Sequence, residues 1–278
     1  DRTEYLIIVG GNPMASNGSL WSVPGFRLRA KALQKRGGKL VVIDPRRSET
    51  AVIADQHEFV RPGTDAFLLL AMAREIFANG WVKTGHLSGH LADLDKAEQA
   101  VAEFTLEMAA EKTGIAADTI RQLAYDLAHT ERAAIYGRMG ISVQQFGAIC
   151  QWGIQLLNII TGHLDVPGGY TFSLPAVDMV WGPMNKPGHF NAWQTRVRGL
   201  PEFGGELPSS ALAEEILTPG EGQIRALVTG AGNPVLSTPN GEQLEGALEG
   251  LDFMVSLDFY INETTRFADV ILPPTSPL

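Results

Sequence analysis

The chain has 278 residues, more than one domain usually holds, and its 45% hydrophobic and 8% aromatic content is enough to build sizeable cores. A formal net charge of -9 excludes nonspecific nucleic-acid binding, which needs clustered Lys and Arg against phosphate, but leaves room for an anionic cofactor held by loop amides and a few arginines. The single cysteine, Cys150, excludes an internal disulfide and a multi-cysteine metal site within this chain, and no apolar run reaches membrane-spanning length.

Taken in order, residues 5–9 are an apolar run ending in Gly10-Gly11-Asn12-Pro13, the pattern of a buried strand entering a ligand-facing loop. A helix is expected near 25–36, stopped by Gly37-Gly38, and a strand at 39–43 delivers Asp44-Pro45-Arg46-Arg47 at its carboxyl end. Strand, helix and strand in this order predict a right-handed parallel crossover with ligand at the carboxyl ends of the strands. A short strand at 58–60 leads into Arg61-Pro62-Gly63-Thr64-Asp65, and 66–77 has helical apolar spacing, with Asp65 where that helix should begin. Residues 93–131 read as two or three amphipathic helices, broken at Gly114 and capped at Asp118. A strand at 133–136 ends in Gly137-Arg138-Met139-Gly140, and 142–160 reads as one largely buried helix. Between 170 and 210, Pro175, Pro183, Pro187, Pro201 and Pro208 predict a long irregular connection, a surface lid or interdomain wrap. Order returns with a helix at 212–217, a strand at 224–229, a second Gly-Asn-Pro loop, a helix at 241–250 and a strand at 253–258. The expected fold class is α/β: two Rossmann-like units with mainly parallel sheets related by internal duplication, 1–170 and an incomplete 171–278. The abrupt start at Asp1 and the end after an apolar run suggest a central piece of a longer protein.

The duplication is explicit. Gly11-Asn12-Pro13 is followed by Asp44, with Glu49-Thr50 five residues on and Ala54-Asp55 leading to an Asp at eleven; Gly232-Asn233-Pro234 is followed by Asp258, Glu263-Thr264 and Ala268-Asp269 at the same offsets. Glycine beside asparagine after a strand lets backbone approach a ligand, and the Asn amide can both donate and accept. Asp44 and Asp258 stand where doubly wound nucleotide folds hold a ribose-binding carboxylate, and Asp65 can accept the two parallel donors of a guanine edge. Arg46 and Arg47 suit a pyrophosphate or, equally, solvated surface. The plainer reading makes Asn12 and Asn233 turn formers and the aspartates helix caps; recurrence at fixed offsets weakens it. Neither loop is Gly-x-Gly-x-x-Gly, which disfavours ordinary NAD binding, and no Gly-x-Ser-x-Gly supports a serine nucleophile. His86 and His90 have metal-ligand spacing on a helix but no third ligand nearby, so a packing or helix-end role is preferred.

The assembled motifs, namely both Gly-Asn-Pro loops, Val41 to Ala51 with Ala54-Asp55, Arg61-Pro62-Gly63-Thr64-Asp65, Thr161-Gly162-His163 and Phe267-Ala268-Asp269-Val270-Ile271-Leu272-Pro273, resemble the molybdopterin oxidoreductases of the dimethyl sulfoxide reductase superfamily. The resemblance runs through the whole chain in order and leans toward the formate dehydrogenase and nitrate reductase branch. It implies bis-molybdopterin guanine dinucleotide carrying molybdenum or tungsten, one dinucleotide per αβ unit, and a redox reaction on a small-molecule substrate. It also implies that Gly11, Asn12, Asp44, Pro45, Arg46, Gly63 and Asp65 hold the first dinucleotide, that Gly232, Asn233, Asp258 and Thr264 hold the second, and that Met139 and Gly140 lie near the pterin. An iron-sulfur cluster, the metal ligand and any electron-transfer subunit contact are expected outside this chain, leaving it inert on its own. The alternatives are a noncatalytic scaffold like the large iron-sulfur subunit of respiratory complex I, which has no need of guanine-specific carboxylates, and a thiamine-diphosphate enzyme's central domain, which does not account for the doubled series.

Overall fold

The apolar runs at 5–9 and 39–43 become β1 (Tyr5–Val9) and β2 (Lys39–Ile43), paired in parallel with Tyr5 beside Lys39 and Val9 beside Ile43. The computed structural model describes residues 1–19, 21–173 and 190–275, and the chain divides into two compact units, Asp1–Ser173 and Leu174–Leu278. In the first unit β1 and β2 are the inner strands of a parallel sheet flanked by β3 (Gln56–Glu58) and β4 (Ala133–Gly137), in the order β3-β2-β1-β4. Side chains alternate between the faces of a strand, so a sheet covered on both sides needs an apolar residue at every position. Ile7, Val9, Val41, Ile43 and Ile135 enter one core, and Leu6, Ile8, Leu40, Val42 and Tyr136 enter the other.

The helices of this unit are α1 (Pro13–Ser16), α2 (Phe26–Lys35), α3 (Glu49–Ile53), α4 (Asp65–Ala78), α5 (Leu94–Val101), α6 (Leu106–Thr113), α7 (Ala117–His129), α8 (Met139–Ser142) and α9 (Gly147–Ile160). The larger core lies under α4, α6, α7 and α9, whose Leu68, Leu69, Met72, Ile76, Leu123, Leu127 and Leu157 are fully buried or nearly so. Each such side chain contributes about 1.5–3 kcal/mol by leaving water. On the other face Phe26, Ala30 and Leu33 of α2 and Ala51 of α3 pack against the sheet.

Four local expectations are corrected. The third strand lies at Gln56–Glu58, where it pairs with Val41–Ile43; Phe59 beyond it is 59% exposed. The helix expected at 142–160 begins only at Gly147, after the short α8 has ended at Ser142, because the chain turns at 143–146 and Gly147 packs so close to Ser142 that a Cβ there would lie 2.0 Å from its carbonyl oxygen. Asp118 is not a cap: Ala116 holds that position, and Asp118 lies in the first turn, where its charge suits the helix dipole and it accepts from Arg121 at 3.1 Å. His86 lies in a 3₁₀ turn, Gly85–Leu87, and both His86 and His90 are exposed, so they neither share a helix face nor pack.

In the second unit the sequence after residue 190 is ordered earlier than expected. β5 (Phe190–Gln194) and β6 (Pro201–Phe203) form an antiparallel hairpin, with the N–H-less proline at a strand start, while Pro175, Pro183 and Pro187 lie outside the described residues. Buried Glu215 on α10 (Leu212–Leu217) ties this hairpin down, accepting from Val197 N at 2.8 Å and forming an ion pair with Arg196, whose Nε lies 3.4 Å from Oε2. Then β7 (Ala226–Gly230), α11 (Pro234–Ser237), α12 (Gly241–Leu248), β8 (Phe253–Leu257) and β9 (Val270–Ile271) make a parallel sheet of order β7-β8-β9 with its own core of Ile216, Val235, Leu244, Leu248 and Met254. Among the described residues no helix is long and apolar enough to cross a membrane.

Candidate cofactor-binding loops

The two halves share a hydrogen-bond network as well as a motif. Asn12 Nδ2 donates to Glu49 Oε2 at 2.6 Å, and Asn233 Nδ2 donates to Glu263 Oε2 at 2.7 Å. Thr50 Oγ1 donates to Asn12 Oδ1 at 2.8 Å and accepts from Met14 N at 3.1 Å; Thr264 Oγ1 does the same with Asn233 Oδ1 at 2.6 Å and Val235 N at 3.1 Å. Asp55 Oδ2 accepts from Leu40 N at 2.8 Å, and Asp269 Oδ2 from Met254 N at 2.7 Å. Gly10 N donates to Ile43 O and Ala231 N to Leu257 O, both at 3.0 Å. The repeated Asn, Glu and Thr thus clasp each Gly-Asn-Pro loop to the segment that follows the second strand, while the second Asp ties the far end of that segment to the start of the same strand. Sequence reasoning assigned Asn12, Asn233 and Thr264 to the ligand. The structure bonds the Asn amides to Glu and Thr and buries Thr264 completely, 0% exposed, so their hydrogen bonds shape the loops. Glu49 is held below the usual carboxylate range by its own backbone N–H and by Asn12, and Glu263 by Asn233 first and then its own backbone.

What the clasp leaves facing outward is backbone and a few charged side chains. Asp44 and Asp258 each close a tight turn through Oδ1, accepting from Arg46 N at 2.8 Å and Tyr260 N at 3.0 Å. Pro45 and Arg46 are exposed beyond Asp44, with Arg46 Nη2 3.8 Å from Glu49 Oε2. The halves diverge here: Pro45-Arg46-Arg47 in the first corresponds to Phe259-Tyr260-Ile261 in the second, all three exposed.

Gly10, with φ +58°, turns the chain out of β1, and Gly140 N donates to Gly10 O at 2.9 Å. A Cβ at Gly140 would lie 2.8 Å from Gly10 Cα, so only glycine permits this approach of the Met139-Gly140 segment, with Met139 half exposed. Gly63, φ +81°, sits in a turn whose Arg61 guanidinium donates to the carbonyls of Glu111 and Lys112 at 2.9 and 2.7 Å. That turn presents Asp65, the first residue of α4, only 5% exposed and accepting from Gln144 Nε2 at 2.9 Å. Burial raises the Asp65 carboxyl, the Gln144 bond opposes this, and the charge of Asp44 adds to the rise. Cys150 is buried, its thiol pushed up to about 11 by burial and then by Asp65, which makes it inert. Glu49, Thr50 and Gln144 were missed as site residues. The doubling marked the first two, but no spacing signal marked Gln144.

The first-unit residues have the chemistry a dinucleotide calls for: open backbone at the Gly63 turn, where a Cβ would meet nothing within 4 Å, exposed arginine for phosphate, and two carboxylates suited to ribose hydroxyls and a base edge, while Gly11 itself is buried. Among the described residues no group of three or more His, Cys, Asp or Glu is placed to hold a metal ion.

Fold and loops define an α/β protein of two parallel-sheet units, each carrying a clasped loop at the carboxyl edge of its sheet. The chain matches the family described as molybdopterin oxidoreductase over residues 1–277 and belongs to that family, within the dimethyl sulfoxide reductase superfamily. It is 27% identical to formate dehydrogenase H of Escherichia coli, over 99% of this chain and 40% of that protein. It is also 27% identical to the F420-dependent formate dehydrogenase subunit alpha of Methanocaldococcus jannaschii (98% and 41%), and 26% identical to the assimilatory nitrate reductase catalytic subunit of Bacillus subtilis (100% and 40%). The chain thus spans about two fifths of the length of these relatives. Acetylene hydratase from Pelobacter acetylenicus shares the fold at a TM-score of 0.80, with 23% identity over 98% of this chain and 41% of that one. Family membership implies a pterin cofactor carrying molybdenum or tungsten.

Proposed function

We propose that each unit binds one molybdopterin guanine dinucleotide at the carboxyl edge of its sheet. The full-length protein would then be a molybdenum- or tungsten-dependent oxidoreductase acting on a small substrate such as formate or nitrate. The observation that carries this reading is the clasp built twice with the same atoms, which calls for two like ligands. In the first unit Gly11 and the Gly10–Gly140 contact admit the pterin end, Arg46 neutralises pyrophosphate, Asp44 takes a ribose hydroxyl and Asp65 takes guanine. In the second, Gly232 and Asp258 have the matching parts, with Asn233 and Thr264 fixing the loop. The bound metal-pterin supplies the two-electron or oxygen-atom transfer chemistry, and the protein supplies binding, orientation and electrostatics. The metal ligand, an iron-sulfur cluster and the surface for an electron-transfer subunit are assigned to the part of the relatives that this chain does not span.

Calorimetry of the 278-residue chain with GMP tests the pocket. Weak binding, of the order of millimolar, is expected, and Asp65→Ala should weaken it at least about tenfold, the loss of one charge-assisted pair. Absence of binding, or unchanged binding in the variant, would reject the assignment. Metal and pterin analysis of the full-length protein separates an enzyme from a cofactor-free scaffold.

A further inference from the structure

Gln144 lies in the turn between α8 and α9, far in sequence from the carboxylate it reaches on α4. Its Nε2–H occupies Asp65 Oδ2 at 2.9 Å, while its other end, Oε1, is buried with no hydrogen-bond partner among the described residues. A buried carbonyl oxygen with no donor is an unrecovered desolvation cost, and such groups in folded proteins call for an explanation. The contact is also one-sided: the carboxylate has two oxygens and Gln144 serves one of them, the remaining support coming from Asp65's own backbone N–H. Guanine offers N1–H and N2–H side by side, a two-donor edge that matches both oxygens at once. Adenine offers one donor beside a ring-nitrogen lone pair, which would face the carboxylate unfavourably.

We propose that Gln144 is an internal stand-in for the base. Its carboxamide fills the Asp65 carboxylate while no nucleotide is bound and must swing aside for guanine to enter. Gln144 therefore sets the affinity of the first pocket, lowering it by the same factor for any base that must displace it, while the preference for guanine rests on the two oxygens of Asp65. Leaving the pocket also frees Oε1 to reach water, so the exchange removes an unsatisfied acceptor. The inference rests on the assignment of Asp65 as the guanine acceptor.

The test is titration of the 278-residue chain with GMP and AMP, in the wild type and in Gln144→Ala, Gln144→Asn and Asp65→Asn, with circular dichroism confirming the fold of each. Gln144→Asn keeps the amide but is one methylene too short to reach Asp65. Both Gln144 variants are expected to bind GMP about three- to tenfold more tightly, the effect of removing one competing charge-assisted hydrogen bond. AMP should stay weaker than GMP by about the same factor as in the wild type, and Asp65→Asn should weaken GMP. In wild-type protein the side-chain amide resonance of Gln144 should move toward that of a free amide as GMP saturates. If the Gln144 variants bind GMP equally or more weakly while Asp65→Asn still loses affinity, the stand-in is overturned and the pocket survives. If Asp65→Asn binds as well as wild type, the pocket itself is wrong and the stand-in falls with it.

Discussion

Thr50 and Thr264 show how a buried hydroxyl can hold a loop in shape. Each donates to the Asn of the loop and accepts from a backbone N–H two residues past that Asn. Thr264→Val keeps the shape and removes both bonds, leaving Asn233 Oδ1 and Val235 N without these partners. A loss of about 1–3 kcal/mol in urea unfolding is expected, with weaker nucleotide binding in the second unit as the secondary effect. Asp65 works in the opposite sense. Its folded pKa is raised above 3.8, so folding favours the protonated form. Its contribution to stability is complete below that unfolded value and is lost as pH rises through the folded pKa. Asp65→Asn is therefore expected to be more stable than wild type at pH 7 and about equal at pH 3, measured by denaturant melts at both. The same variant should bind GMP less well, which would mark Asp65 as a residue kept for recognition at the expense of stability.

At the scale of elements, the site depends on where strands stop. β1 and β4 end side by side, Val9 beside Gly137, and the chains leaving them meet at Gly10 and Gly140. Gly140→Ala forces a methyl against Gly10 Cα at 2.8 Å, where backbone has to move. We expect a cost of about 1–3 kcal/mol in thermal or urea unfolding, as for overpacking generally, and a matching loss of nucleotide affinity. The equivalent of Gly10 in the second unit is Ala231, which keeps the same left-handed turn at φ +51°. Most elements were legible because their causes are local: β1 and β2 are apolar at nearly every position, and α10 carries helical spacing at the bounds expected. The failures had nonlocal causes. The hairpin at 190–203 is anchored by buried Glu202 and Glu215, which no local pattern reveals. The break between α8 and α9 follows from a helix end packing on a glycine, and β9, only two residues long, exists because β8 offers it an edge.

Over the whole molecule, the first unit holds two cores around a doubly covered sheet and the second holds one of its own. Residues 1–173 expressed alone are expected to fold and to unfold in one cooperative transition by circular dichroism, because both faces of their sheet are covered from within the unit. A noncooperative melt would show that this unit needs the rest of the chain. The sequence by itself determined the α/β class, the duplication and the family, because strand periodicity and the fixed spacing of Asn, Asp, Glu and Thr are written in the order of residues. Only the tertiary structure decided which of those polar groups turn inward to clasp a loop and which close the turns at the strand ends. It alone joined Gln144 to Asp65 across 79 residues, for a hydrogen bond between distant elements leaves no period for a sequence to display.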